Sequence, residues 1–444
     1  MLLNGISVVG IGKLGLCAAA CFADKGWQVI GVDVNPDTIA AVNEGRSPIY
    51  EPGLGELITK CQGCLFATDS YKYAIENSEV TFITVPTPSM DDGGFSTKYV
   101  EAVAQSIATI LKDKEAFHVV VITSTVMPGA TEGVIKPLIE VVSGKKCGID
   151  FGLCYNPEFI ALGSVIRDLK SPDMVLIGES DSHSGDILAK IYGATCDNHP
   201  YIARMSIGNA ELAKISLNAY VTMKISFANT LAELCERIPG GDVDIVTSAI
   251  GADSRIGIKY LKGAVSYGGP CFPRDNKAFL ALAQKLGCRA RLSQATDAVN
   301  EDQAARIVKM AKQEIGQIKD ANIAILGVTY KPGTDVIEVS ASVDIARALS
   351  EQGAKVVVYD PAGTENARNL LDESVAYANS IDECLGGADL CVMATPWPEF
   401  RKLKPEDFAN RMKKPALLDC WRVYDRDEFT AKLDYRAIGL SNRL

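Results

Sequence analysis

Histidine is scarce in this chain: three in 444 residues, His118, His183 and His199, too widely spaced to form a metal-binding motif. A Gly-x-Ser-x-Gly elbow is also missing, which argues against serine-hydrolase chemistry. No apolar run approaches the roughly 18 residues of a membrane span. There is no long basic run, and 45 basic against 55 acidic residues leave a net charge of −10, so a nucleic-acid partner is not expected. Disulfide chemistry is not expected either, because the 13 cysteines are scattered and odd in number. Cys61-Gln62-Gly63-Cys64 has the spacing of half a zinc site, but the next cysteine is Cys147, so no metal is expected. Cys17 and Cys21, one helical turn apart among apolar neighbours, read as core. Met1-Leu2-Leu3-Asn4-Gly5 lacks a basic leader and a small-residue cleavage site, which leads us to expect a cytoplasmic protein.

What remains is an ordinary globular composition, 47% hydrophobic and 23% charged, in a chain long enough for two or three domains. The β-branched run Ile6-Ser7-Val8-Val9 leads into Gly10-Ile11-Gly12-Lys13-Leu14-Gly15 and then an apolar helical segment. Such a strand–glycine turn–helix unit suits a dinucleotide: Gly10 permits the tight turn, Gly12 admits a pyrophosphate, and Gly15 lets helix and strand pack closely. The second strand ends at Asp33, 18 residues after Gly15, placed to accept hydrogen bonds from the adenine-ribose hydroxyls and to repel a 2′-phosphate. The cofactor expected is NAD. Three more strand-like runs end at Thr87, at Thr125 and just before Glu158. Ligands of open parallel sheets gather at such strand ends. Glu158 is there a candidate general base or water-positioning group.

Residues 207–237 read as one long helix, apolar or small on most sides, on which Glu211, Lys214 and Asn218 share a face. A buried lysine and asparagine need partners, which makes the two a candidate oxyanion-stabilising pair. A second helical stretch spans 291–316. The last third repeats the α/β theme, with strands at Ala321-Asn322-Ile323-Ala324-Ile325-Leu326, Lys355-Val356-Val357-Val358-Tyr359, Ala388 to Thr395 and Ala416 to Asp419, but without the glycine fingerprint. Lys331, in Tyr330-Lys331-Pro332-Gly333-Thr334-Asp335, is a candidate for phosphate or sugar.

Between these parts lies Tyr267-Gly268-Gly269-Pro270-Cys271-Phe272-Pro273-Arg274-Asp275-Asn276. Its glycines allow close backbone approach and its prolines stiffen the segment around one thiol. Arg274 supplies positive charge that favours a thiolate, and Asp275 follows. No other cysteine of the chain has so specific a setting.

Taken together, Gly10 to Gly15, Ile49-Tyr50-Glu51-Pro52-Gly53-Leu54, Val85-Pro86-Thr87-Pro88, Ser124-Thr125-Val126, Asn156-Pro157-Glu158-Phe159, Ala210-Glu211-Leu212-Ala213-Lys214 with Asn218, Arg255-Ile256-Gly257, the Cys271 stretch and Lys331 closely resemble the UDP-glucose/GDP-mannose dehydrogenase family over essentially the whole length. The resemblance implies an α/β protein in three parts. These are an N-terminal Rossmann NAD-binding domain at 1–203, a central long-helix dimerisation region at 204–315, and a C-terminal Rossmann-like nucleotide-sugar-binding domain at 316–444. It implies oxidation of a sugar C6 alcohol to a carboxylate with two NAD+, Cys271 forming a thiohemiacetal and then a thioester. By the same resemblance Lys214 and Asn218 stabilise the oxyanion, Thr125 and Asp275 hold water, and Glu158 assists hydrolysis. Gly10, Ile11, Gly12, Lys13, Leu14, Gly15, Asp33, Thr87, Thr125 and Arg274 would bind the cofactor. Glu158, Phe159, Lys214, Asn218, Arg255, Tyr260, Tyr267, Gly268 and Lys331 would bind the nucleotide sugar, UDP-glucose above all, with a UDP-N-acetylhexosamine, GDP-mannose or another nucleotide hexose as the alternative. A homodimer or higher homo-oligomer is expected, with no nucleic-acid or membrane partner.

The chain departs from the family pattern where Pro270 replaces the usual serine, Arg274 the usual lysine and Glu338 an arginine. A two-electron β-hydroxyacid dehydrogenase would share the first domain but would not need the cysteine stretch. A non-catalytic nucleotide-sugar binder would not need the candidate nucleophile, lysine and carboxylates.

Overall fold

The computed structural model describes residues 5–371 and 373–441, so the reading of Met1 to Asn4 lies outside the described residues. The chain divides into two compact units, Met1–Ser216 and Leu217–Leu444.

The first unit is built on an eight-stranded sheet: β1 (Ile6–Val9), β2 (Val29–Val32), β3 (Leu65–Thr68), β4 (Val80–Ile83), β5 (His118–Ile122), β6 (Phe151–Tyr155), β7 (Met174–Glu179) and β8 (Tyr201–Ser206). Their spatial order is β3-β2-β1-β4-β5-β6-β7-β8. All neighbours are parallel except β6 and β7. The short β-branched runs are buried on both faces, as expected of parallel strands covered by helices. Alternation then divides the core: Ile6 and Val8 pack with the helix Gly15–Asp24, whereas Val9, Ile30 and Ile83 pack with the helix Lys98–Leu111. Cys17 and Cys21 lie in the first of these layers, as expected.

The second unit holds a six-stranded, fully parallel sheet: β9 (Asn322–Leu326), β10 (Lys355–Tyr359), β11 (Val375–Tyr377), β12 (Leu390–Met393), β13 (Ala416–Asp419) and β14 (Asp434–Ala437), in the order β11-β10-β9-β12-β13-β14. Renumbered from its own first strand, this is the same 3-2-1-4-5-6 order that the first six strands of the other sheet follow. The fold is thus α/β with two Rossmann-type sheets, as the sequence indicates. Ahead of this second sheet run the helices Val243–Gly251, Phe272–Lys285 and Arg291–Ile315.

The expected long helix is Ile207–Cys235, and the boundary between the units falls within it. Its polar face is buried, with Glu211 at 0%, Lys214 at 7% and Asn218 at 6% exposure, so this stripe is no solvated surface. Among the described residues, no helix is long and apolar enough to cross a membrane.

Candidate active site

In the first unit the glycine turn follows β1. Gly10 takes φ of +90°, a value that requires glycine, and its N–H donates to Val32 O at 2.8 Å. A Cβ on Gly15 would lie 2.0 Å from Gly10 O and 2.4 Å from Thr84 Oγ1, so only glycine lets helix and strand approach this closely. A Cβ on Gly12 would meet nothing within 4 Å. The space over Gly12 is therefore open at a helix N-terminus, where backbone amides and the helix dipole favour a phosphate. Lys13 and Leu14, beside it, are partly exposed. Asp33 closes the turn, its carboxylate accepting from Ile11 N at 3.0 Å and Asn35 N at 2.9 Å. It is only half-buried, so acceptor capacity remains for ribose hydroxyls. An open glycine, a helix N-terminus and a partly free carboxylate fit NAD.

The neighbouring strand ends are tied to one another. Thr87 Oγ1 donates to Thr125 O at 2.7 Å, and Ser124 Oγ donates to Val85 O at 2.6 Å. Glu211 accepts from Gly129 N at 2.6 Å and Thr131 N at 2.9 Å, which fixes the far side of the Thr125 loop on the long helix.

One helical step further, Lys214 Nζ donates to the backbone oxygen of Glu158 at 2.5 Å and lies 4.8 Å from the centre of the Phe159 ring. The first unit thus brings Lys214, Glu158 and Phe159 together. Enclosure by protein raises the Glu158 carboxyl to about 7, although part of its surface stays open; the Tyr192 hydroxyl and the Lys214 charge pull the other way. Tyr192, itself held protonated by burial, lies 2.5 Å from Asn156 Oδ1 and 3.1 Å from Glu158 Oε1. One hydroxyl proton cannot serve both acceptors at once, so the nearer amide oxygen competes with the carboxylate for it.

In the second unit Cys271 sits at the N-terminus of the helix Phe272–Lys285, whose first turn is closed by Asp275 N donating to Cys271 O at 2.8 Å. Cys271 is exposed, as is Cys288, whereas the other eleven cysteines are buried or half-buried. Asp275, only 1% exposed, accepts from Asn218 Nδ2 at 2.6 Å and pairs with Arg274 Nε at 3.4 Å. Asn218, Arg274 and Asp275 thus form one cluster a turn below the thiol. Tyr260 adopts φ of +65°, and its ring stands edge-on to Phe272 at 6.0 Å. Tyr267 is fastened into the fold: its hydroxyl donates to Asp297 at 2.5 Å, and the Asn300 amide bonds both its N–H at 2.7 Å and its carbonyl at 3.0 Å. Lys331 Nζ stands 5.7 Å from the Tyr330 ring centre. Arg255 is exposed and paired with Asp253 at 2.7 Å, a pairing that joins it to neither cluster.

Sequence reasoning did not single out Tyr192 as a partner of Glu158 in the first unit, nor Asp297 and Asn300 as partners of Tyr267 in the second, and no local signal marks them. Glu211 fastens the Thr125 loop to the long helix; there the signal was present, a carboxylate on a helix face with small and apolar neighbours.

Three family models match in order along the chain. These are the NAD-binding domain at 4–195, the central domain at 208–302 and the UDP-binding domain at 324–426 of the UDP-glucose/GDP-mannose dehydrogenase family. The chain belongs to that family. It is 37% identical to the UDP-glucose 6-dehydrogenase AglM of Haloferax volcanii, the match covering 98% of this chain and 99% of that protein. It is 33% identical to a GDP-mannose 6-dehydrogenase of Pseudomonas putida, covering 93% and 97%. Among solved structures, a UDP-glucose dehydrogenase from the archaeon Pyrobaculum islandicum superposes with a TM-score of 0.89 at 33% identity, covering 99% of this chain and 98% of that one. Membership makes this chain an NAD-dependent nucleotide-sugar 6-dehydrogenase.

Proposed function

We propose that this enzyme oxidises the C6 alcohol of UDP-glucose to UDP-glucuronate in two successive two-electron steps, with Cys271 as the covalent nucleophile. The observation that carries the reading is the setting of Cys271: an exposed cysteine at the start of a fourteen-residue helix, with Asn218 bonded to the buried Asp275 one turn on. Amide dipoles at a helix N-terminus favour an anion there, as a thiolate nucleophile needs.

NAD+, when bound at the glycine turn, accepts the hydride that each oxidation removes from C6. The first oxidation turns the alcohol into an aldehyde. The Cys271 sulfur then bonds to the aldehyde carbon, giving a thiohemiacetal that still carries a C–H bond. Loss of that hydride and of the hydroxyl proton leaves a thioester. Water adds to the thioester carbon, the C–S bond breaks, and a carboxylate and a free thiol result. Lys214 and Asn218 donate to the oxyanion at each stage. Thr125 and Asp275 hold the water, and Glu158 takes its proton, a task suited to a carboxyl raised to about 7. Asp33 reads the ribose, Thr87, Thr125 and Arg274 complete the cofactor site, and Arg255, Tyr260, Tyr267, Gly268 and Lys331 take the nucleotide sugar together with Phe159.

GDP-mannose or a UDP-N-acetylhexosamine is the second reading of the substrate, favoured by Glu338 standing where the family usually has arginine. A homodimer or larger homo-oligomer is part of the proposal. It is supported by Tyr220, Phe227 and Leu234, exposed at about half their surface and spaced seven residues apart along one side of the long helix. The product would feed polysaccharide or glycoconjugate synthesis in the cytoplasm.

Cys271→Ala tests the chemistry. Uronate formation should stop while NAD binding, followed by fluorescence titration, persists. A variant that still releases acid at the wild-type rate would remove Cys271 from the mechanism.

A further inference from the structure

Gly268 and Gly269, just before Pro270 and Cys271, have no room for side chains, and the reason lies in the protein itself. A Cβ on Gly268 would stand 1.9 Å from the backbone oxygen of Val339. A Cβ on Gly269, at φ of +79°, would stand 2.6 Å from the Tyr330 ring. The Gly269 N–H donates to Glu338 O at 3.1 Å. The two glycines therefore rest on the loop that follows β9, against its first aromatic side chain at one end and its last backbone carbonyls at the other.

That loop is itself closed and anchored. Tyr330 N donates to Val336 O at 3.1 Å, and Ser340 N to Ile337 O at 3.2 Å. Ser340 Oγ reaches Val328 O at 2.7 Å, and Thr329, at the root, is bonded to Asp360 through both N–H and hydroxyl. Val339 adopts φ of +47° although it is β-branched and half exposed. A β-branched residue in the left-handed region is a true outlier, and such strain persists only where surrounding structure imposes it. Here the strained residue is the one whose carbonyl the glycine pair covers. The loop also bears Lys331, so the candidate phosphate ligand and the candidate nucleophile are joined through the Tyr330 ring and the carbonyls of Glu338 and Val339.

We propose that the loop 330–339 is the seat of the nucleophile segment, with Tyr330 and Val339 as positioning residues that set where Cys271 stands. With Lys331 read as a phosphate ligand, a nucleoside diphosphate held there stiffens the seat and alters the reactivity of the thiol. The inference rests on the reading of Cys271 as nucleophile only for its catalytic consequence; the seat itself is read through the thiol.

The experiment measures alkylation of Cys271 by iodoacetamide, followed by peptide mass spectrometry, together with kcat and the KM for NAD. It compares the full chain with Gly269→Ala, Tyr330→Ala and the double variant. Gly269→Ala should change the alkylation rate and lower kcat by about tenfold, with the KM for NAD within about twofold, an effect in the usual range for coupled contacts. Removing the ring in the double variant should bring both the alkylation rate and kcat part of the way back to wild type. Effects that simply multiply, or alkylation that stays within about twofold of wild type in both single variants, would overturn the proposal. Should Gly269→Ala not fold, Val339→Gly supplies the answer, since glycine adopts positive φ freely. It should melt no lower than wild type and still alter the alkylation rate severalfold; unchanged alkylation would overturn the seat. UDP alone should shift alkylation in wild type and lose that effect in Tyr330→Ala; an equal shift in both would contradict the transmission. Acid production surviving in Cys271→Ala would instead refute the catalytic reading and leave the alkylation results standing.

Discussion

At the end of the second strand of each Rossmann sheet stands an aspartate, Asp33 in one unit and Asp360 in the other, and each accepts hydrogen bonds from the turn after the first strand. Asp33 takes two backbone N–H groups and stays half-open to solvent. Asp360 is 3% exposed and takes six donors: the N–H groups of Val328, Thr329, Ala362 and Gly363, the Thr329 hydroxyl and the Trp397 indole. The turns begin alike, with Gly10 at φ of +90° and Gly327 at +94°. They then diverge, because the first unit continues through the open Gly12 and the second through Val328 and Thr329, both buried. One carboxylate keeps lone pairs for a ligand, and the other commits all of them to its own fold. Strand order alone therefore does not make a dinucleotide site; the side chains of one turn decide it.

Asp360→Ala should have the largest effect. It strips a common acceptor from six donors, most of them buried, and unmet buried donors cost about 1–3 kcal/mol each, though not additively. We expect a loss of several kcal/mol and a fall in Tm on the order of 10 °C in calorimetry. Asp33→Ala should leave Tm nearly unchanged, and a fall as large as that of Asp360→Ala would erase the contrast. Next in size is the pair of glycine substitutions. Gly15→Ala forces a Cβ against backbone 2.0 Å away, and should abolish NAD binding and lower stability together. Gly12→Ala adds its methyl in open space, so the protein should fold normally while NAD affinity falls. Equal melting losses in the two variants would contradict the open turn.

Cofactor choice gives a smaller effect. In Asp33→Ala the preference for NAD over NADP, measured as the ratio of kcat/KM values, should shrink by about tenfold, the usual contribution of a hydrogen bond to a charged group. An unchanged preference would remove Asp33 from the ribose. Glu158 offers a third carboxylate for comparison, one whose hydroxyl donor is shared with Asn156. With its carboxyl raised to about 7 rather than near the ordinary 4.5, it is protonated below that value and becomes a base only above it. Acid release should therefore rise with pH through about 7, and Glu158→Gln should lose that limb. A profile with the same limb in the variant would assign the titration to another group.

Much of this was legible in the sequence. The glycine turn, Asp33, the long helix and both α/β ends follow from short β-branched runs, glycine spacing and helical periodicity, all of them local signals. The buried stripe of Glu211, Lys214 and Asn218 was legible because small apolar neighbours surround it. Its partners were not, since Glu158, Gly129 and Asp275 lie far from it along the chain and only the tertiary fold pairs them. The helix that starts after Cys271 was hidden by Pro273, which reads as a breaker in a sequence yet is well placed in a first helical turn, where no N–H is needed. The glycines before it suggested an approach to a ligand; the structure sets them against residues 330–339, far along the chain. The C-terminal sheet lacked a fingerprint because its turn is closed by Asp360, and no local pattern announces six converging donors.

The most direct test of the account counts NADH formed per nucleotide sugar consumed, using purified enzyme, NAD+ and UDP-glucose, with GDP-mannose and a UDP-N-acetylhexosamine in parallel. Two NADH and one uronate per UDP-glucose is the predicted result. One NADH per sugar, with an aldehyde as product, would contradict it and leave Cys271 without its covalent role.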